Sequence, residues 1–491
     1  MNKVNRRRFL GLAVAALGGT ALAACQPQVV EKVVQQTVEV KETVQVKETV
    51  VVEKTVKEPV TIEAWGLTGL VNEETLKKFQ EQFPYITVNP SELGEAVFGD
   101  QKFTTAVAAG KGPTVAVQNR HTFMQFAAKG LYLDVSPYFE KSGLKASDYL
   151  PVQFEETSWQ GKPYGLPIAT DTRYLFWNKK HFEEAGLDPT KPPATWAELE
   201  AFTDKLTKKD SKGNVERYGF VPYLFGNSWM WLWGFINKAP AISQDKRTIL
   251  CDDPKWVETL QWLVDFYDKH VGSFELANAF SEGVTASGLG DPFVAEKVSM
   301  TAHGDWFVGD LLRSPGVEWD CAPAPISPSG EKSTWSCGWS LVIPPSAKYP
   351  DAGWELLKWW TGVEGWQAYA EASKADTARV WAREQITGDP KFWPTDACYL
   401  PALKMLEEQY VSQLGDVEKK AWALAMDALE NWTHGCGTEM GLAALEYWVE
   451  MDNAARDALA HKKTPKQAMD DCKKKVQEAT DRAWEAVDAK K

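Results

Sequence analysis

Three short runs place aromatic and hydrogen-bonding side chains where a hydropathy pattern marks the ends of strands. They are Trp65, the run Gln118-Asn-Arg-His121 and the run Thr170-Asp-Thr-Arg173. Such groups recognise; they do not by themselves break bonds. Planar Asp, Asn, Gln, Arg and His side chains make paired hydrogen bonds, and rings offer flat apolar faces. Signatures of bond-breaking chemistry are absent. There is no Gly-x-Gly-x-x-Gly, P-loop, Gly-x-Ser-x-Gly or His-Glu-x-x-His, so no catalytic residue is assigned and no cofactor is called for. The 6 histidines are scattered without a second His or a Cys three or four residues away, so no metal site is called from spacing. The 67 carboxylates guarantee neighbouring acid pairs of the kind that cleave glycosidic bonds, but no spacing selects one.

The elements that must hold these runs alternate. Val60, Ile62 and Ala64 read as a strand ending at Trp65-Gly66. Asn72 then caps a helix with Leu76, Phe79 and Phe83 on one face. Ile86 and Val88 form a second strand, and Val115 and Val117 a third. Thr195-Trp-Ala-Glu198 is a capping box, Asp351–Thr361 a tryptophan-rich helix, and Thr464-Pro-Lys-Gln467 opens the last helix. This alternation predicts an α/β protein whose parallel sheets are covered by helices, with ligands at the carboxyl ends of strands. At 491 residues the chain exceeds one hydrophobic core, so two lobes are expected. The composition, 44% hydrophobic and 25% charged, is that of a soluble globular protein. A net charge of −13 argues against a nucleic-acid partner. Among the 23 tryptophans, Trp256, Trp262, Trp354, Trp359, Trp366 and Trp422 fall on helices and are expected to pack there.

The N-terminus reads as an address. Arg6-Arg-Arg-Phe-Leu10 resembles a twin-arginine export signal, although a Sec route stays open. Leu22-Ala-Ala-Cys25 resembles a bacterial lipobox, which makes 1–24 a signal peptide and Cys25 the lipidated residue of a membrane-anchored protein. Losing residues 1–24 removes four cations and no anion, which takes the charge to −17. Residues 25–58 carry a Thr-Val-rich hexad with dense Lys and Glu, expected to be a tether. Fully extended, it would reach roughly 100 Å at about 3.3 Å per residue. Six further cysteines permit disulfides; Cys321 with Cys337 and Cys398 with Cys436 are the nearest pairs, and buried free thiols are the alternative.

Four ordered segments carry a family resemblance: Gly161-Lys-Pro-Tyr-Gly-Leu-Pro-Ile168, Leu175-Phe-Trp-Asn-Lys179, Ala185-Gly-Leu187 and Pro192-Pro-Ala-Thr-Trp-Ala-Glu-Leu199. They resemble the extracellular solute-binding proteins of ABC importers, in the sugar-binding group that includes maltose-binding protein. Two positions depart from the pattern. Thr114 replaces a usual Asp, and Trp177 replaces the Tyr of a Tyr-Asn-Lys segment. The resemblance implies a type II, periplasmic-binding-protein-like fold of two lobes joined by hinge strands around a central ligand cleft. Lobe 1 would be 59–170 with 341–395, and lobe 2 would be 171–340 with 396–491.

The resemblance also implies a site: Gln118, Asn119 and His121 after the third strand, Asp171 before the Tyr-Asn-Lys-like segment, and Asn227 with Trp229. Trp306 stands where a stacking tryptophan sits in maltose binders, and Trp339 and Trp65 lie near the second hinge and the first strand end. The protein implied is a monomeric receptor outside the cytoplasmic membrane that takes a carbohydrate to an ABC importer permease, without catalysis. The alternatives are a receptor of the same fold for a polyol phosphate or polyamine, and a secreted carbohydrate-active hydrolase.

Overall fold

The computed structural model describes residues 32–34, 54–68, 72–92, 101–222, 228–384, 392–394 and 396–490. The expected signal peptide, Cys25 and Asn227 lie outside these residues, as does the side chain of Trp229. The chain divides into a unit up to Pro59 and a unit from Val60 onward. In the first, Lys32–Val34 pairs antiparallel with Lys54–Val56, so these two ends of the expected tether lie side by side and not at full extension. Alternating Val with Lys or Glu suits strand pairing as well as it suits an extended linker.

The second unit is built on two sheets. In chain order its main strands are β1 (Val60–Thr68), β2 (Ile86–Glu92), β3 (Val115–Asn119), β4 (Gly165–Thr170) and β5 (Arg173–Asn178). They continue as β6 (Lys208–Lys209), β7 (Val215–Phe220), β8 (Val298–Gly304) and β9 (Trp319–Ala322). The last four are β10 (Thr334–Ser336), β11 (Gly338–Val342), β12 (Asp396–Ala397) and β13 (Thr433–Gly435). One sheet has the order β12-β4-β11-β3-β1-β2, the other β6-β7-β8-β5-β9, and β10 pairs with β13. Both main sheets are mixed, which corrects the expectation of parallel sheets. β1 runs parallel to β2 and β3, whereas β11 enters antiparallel to β3 and β4. The reason is the path of the chain. It leaves the first sheet at Thr170, builds the second, and re-enters the first at Gly338 from the opposite direction. The first sheet therefore takes in Gly338–Val342 and Asp396–Ala397, so lobe boundaries at 341 and 396 would cut through it.

Local signals place the helices. The Asn72 side chain accepts from the Thr75 N–H to start α1 (Glu73–Gln82). Capping boxes at Thr195/Glu198 and Thr464/Gln467 open α2 (Trp196–Leu206) and the long C-terminal helix Pro465–Asp488. Strand alternation then divides the core: Leu175 and Trp177 of β5 join one cluster, Tyr174 and Phe176 the other. Of the six helical tryptophans expected to pack, five are buried and Trp262 is half-buried. Four of the six indole N–H groups find partners, those of Trp256, Trp262, Trp354 and Trp359, whereas those of Trp366 and Trp422 are buried without one among the described residues. Trp256 donates to the Pro240 carbonyl at 2.7 Å and Trp359 to Gln82 Oε1 at 2.7 Å. Trp177, without the hydroxyl a Tyr would bring, donates to the Pro189 carbonyl at 2.9 Å.

Candidate functional site

The chain crosses between sheets at Asp171–Thr172, at Cys337 and after Ala397. One fully buried guanidinium holds these crossings together. Arg120 follows β3 and pairs through Nε with Glu156 Oε2 at 2.8 Å. Its other nitrogens donate to Thr170 Oγ1 at 3.0 Å and to the carbonyls of Ala169, Cys337 and Trp339. Glu156 Oε1 accepts the Gly437 N–H at 2.6 Å. Burial pushes the Glu156 carboxyl up, against the pull of Arg120 and that N–H. Gly338 sits at φ +135°, and a Cβ there would lie 2.2 Å from the Ala169 carbonyl oxygen, so only glycine fits the crossing. A disulfide joins Cys337 to Cys436, across 99 residues, at the same place. This replaces both expected pairings: Cys321 and Cys398 are buried and neither takes part in that disulfide.

A second arginine organises a more open arrangement. Arg173 begins β5 and pairs with Asp171, whose Oδ1 also accepts the Cys337 N–H at 2.8 Å. Its guanidinium lies 3.9 Å from the Trp335 ring centroid and 5.4 Å from that of Trp306. Trp306 is 37% exposed, unusual for an indole. Gly304 makes its seat: a Cβ there would come within 1.8 Å of the Trp306 ring. Beyond Trp335 the rings continue. Trp448 lies 5.9 Å from Trp335 and 5.0 Å from His121 between centroids. Burial holds His121 at about 4 and His303 at about 3, so both are neutral imidazoles near pH 7. The row His121–Trp448–Trp335–Arg173–Trp306 thus runs from the end of β3 in one sheet to the end of β8 in the other. Trp335, His121 and Arg173 are buried and Trp448 is half-buried, so the part that opens to solvent is the Trp306 ring with the half-buried Asp171 carboxylate near it, a combination that suits a neutral polyhydroxylated solute.

The expected site residues separate on this geometry. Trp306, Asp171, His121, Asn119 and Trp339 lie at strand ends by the crossings; Trp339 is half-buried on β11, opposite Asn119. Asp171 is held by Arg173 and the Cys337 N–H, a hydrogen-bonding role within the hinge. The Asn119 side chain caps the turn Arg120–Thr122 by accepting the His121 N–H at 3.0 Å, so it positions His121. Trp65 is half-buried at the other side of β3, with Lys102 Nζ 5.1 Å over its ring. Gln118 corrects the expectation. It is fully buried, Oε1 accepting from Tyr132 at 2.9 Å and Nε2 donating to the Val117 carbonyl at 2.8 Å. β3 is buried along its whole length, so no alternation distinguishes an open face. Arg173, Trp335 and Trp448 were not singled out from sequence. Arg173 lies inside the run flagged after β4, whereas only tertiary packing brings Trp335 and Trp448 to it.

Two lobes on mixed sheets, with ring and polar groups at the crossings, define a solute-binding protein. The chain matches bacterial extracellular solute-binding proteins over residues 64–365 and belongs to that family. Among its relatives, a putative binding protein of Brucella abortus is 26% identical over 59% of this chain and 68% of its own length. An sn-glycerol-3-phosphate-binding periplasmic protein of Brucella abortus is 25% identical, over 57% of this chain and 65% of its own. Among solved structures, mannobiose-bound CpMnBP1 superposes with a TM-score of 0.68 at 23% identity, covering 85% of this chain and 100% of that one. The likeness shows the two-lobed type II fold.

Proposed function

We propose that the protein is an exported receptor that holds a sugar or oligosaccharide between its lobes and passes it, chemically unchanged, to an ABC importer permease. The observation that carries this reading is the half-open Trp306 ring beside the Asp171–Arg173 pair. A ring face for pyranose C–H groups next to a carboxylate for hydroxyls, with the guanidinium holding that carboxylate in place, is what a saccharide requires. Membership of an extracellular solute-binding family and the fold shared with a mannobiose-bound protein support it. Trp306, Asp171, His121 and Trp339 would contact ligand, with Asn119 orienting His121. Trp65, Asn227 and Trp229 stay candidate contacts on the strength of the family resemblance. Acylation at Cys25 would keep the protein, as a monomer, on the outer face of the membrane.

A phosphorylated polyol is the second reading, favoured by the glycerol-phosphate-binding relative and by Arg173 at the site. A thermal-shift screen over mono- and oligosaccharides and glycerol 3-phosphate separates the two, with product analysis of every sample. The carbohydrate reading requires a rise in Tm with at least one saccharide and no cleavage. A rise with glycerol 3-phosphate alone transfers the assignment to polyol phosphates, and released monosaccharide makes the protein a hydrolase.

A further inference from the structure

Two cysteines outside the hinge meet in the packing of the C-terminal helix. Cys251 precedes the helix Pro254–Phe266, and Cys472 lies in the C-terminal helix Pro465–Asp488. Their sulfurs are 3.5 Å apart, and both residues are buried. The contact sits in a seam that fixes the 246–252 segment along successive turns of that helix. Gln477 Oε1 accepts the Ile249 N–H at 2.8 Å, while its Nε2 donates to the Arg247 carbonyl at 2.8 Å. The Trp484 indole donates to the Lys246 carbonyl at 2.7 Å. Lys473 reaches Asp252 at 3.2 Å, and Arg247 pairs with Asp488 at 2.9 Å. The seam therefore holds two sulfurs in van der Waals contact although 221 residues separate them in the chain.

We infer that Cys251 and Cys472 form a second disulfide once the protein is outside the cytoplasm, fastening the C-terminal helix to its lobe. The family is extracellular, and disulfides persist in such oxidising surroundings. The oxidant is a disulfide, either an oxidoreductase or a small molecule of the oxidised-glutathione class. The Cys472 thiol loses its proton, and the thiolate attacks one sulfur of the oxidant, breaking its S–S bond and expelling a thiolate. The Cys251 thiolate then displaces the second half from the mixed disulfide. Two protein thiols are oxidised and one external disulfide is reduced, the two protons lost by Cys251 and Cys472 passing to the two expelled thiolates to give two thiols. The contact with Cys251 and then burial push the Cys472 thiol up, and both sulfurs are enclosed, so exchange takes place while the helix is undocked. The bond closes a long loop, so it adds stability.

Peptide mapping without reduction tests this on full-length exported protein, denatured and alkylated before digestion. The expected result is a linked peptide pair containing Cys251 and Cys472 beside the Cys337–Cys436 pair. Alkyl label on both Cys251 and Cys472 overturns the inference. A Cys337→Ser/Cys436→Ser protein retains only this pair, and reductant should lower its Tm by a few degrees. A Tm indifferent to reductant overturns the inference equally. Should that variant not fold, the peptide map on the unaltered chain decides.

Discussion

Arg120 and Arg173 both stand at strand ends beside a carboxylate, yet their surroundings differ in kind. Arg120 is sealed, with Glu156, one hydroxyl and three carbonyls spending its donors on the chain crossings. Arg173 lies between the faces of Trp335 and Trp306, and the second ring opens to solvent. A guanidinium saturated by backbone acceptors fixes the geometry of a hinge. One sandwiched by rings at an opening orients a surface. Charge type is the same at both, one just after a strand and one at the start of a strand; the groups around each decide which role it takes.

Substitutions at the two arginines sharpen this contrast. Arg120→Met leaves Glu156 buried without its cation and should cost about 3–5 kcal/mol of stability, read by denaturant unfolding. A change under about 1 kcal/mol would mean the crossings do not depend on that pair.

The protonation of His121 comes next in size. Its folded value of about 4 lies below the ordinary 6.5, so between these values the unfolded chain binds more protons. Its contribution is fully present above pH 6.5 and is lost as pH falls through about 4, a loss on the order of 3 kcal/mol. Tm should therefore decline over that range, and His121→Gln should flatten the decline. His181, at about 4, and His303, at about 3, shift the same way and keep part of the slope in the variant.

Trp306→Ala should lower affinity for the bound saccharide by about 2 kcal/mol, roughly thirty-fold, with apo Tm nearly unchanged. A collapsed apo Tm with affinity intact would make Trp306 a packing residue. The smallest effect belongs to Arg173→Lys, which keeps the charge but loses the flat fork between the rings. About 1 kcal/mol, roughly fivefold in affinity, is expected by calorimetric titration. A loss as large as that of Trp306→Ala would mean the guanidinium binds the ligand directly.

Features written in adjacent residues were legible from the chain. The Asn72 cap and the boxes at Thr195/Glu198 and Thr464/Gln467 begin helices where their side chains demand. Tryptophans on helices pack, because a stripe at helical spacing faces the core. What needs distant partners was not legible. Cys337 bonds to Cys436 and not to the nearer Cys321, because the path of the chain between sheets, and not spacing, brings those two together. Gln118 is buried because β3 is covered on both faces, so strand position does not reveal which side chains reach the surface. Trp448 reaches His121 only through the packing of the helix Ala444–Leu459.

The central claim is that a saccharide is held between two lobes that close around the Arg120 crossings. Small-angle scattering addresses it most directly, using the saccharide with the largest melting shift at saturating concentration. The account predicts a smaller radius of gyration with ligand than without. An unchanged radius at proven saturation would contradict it.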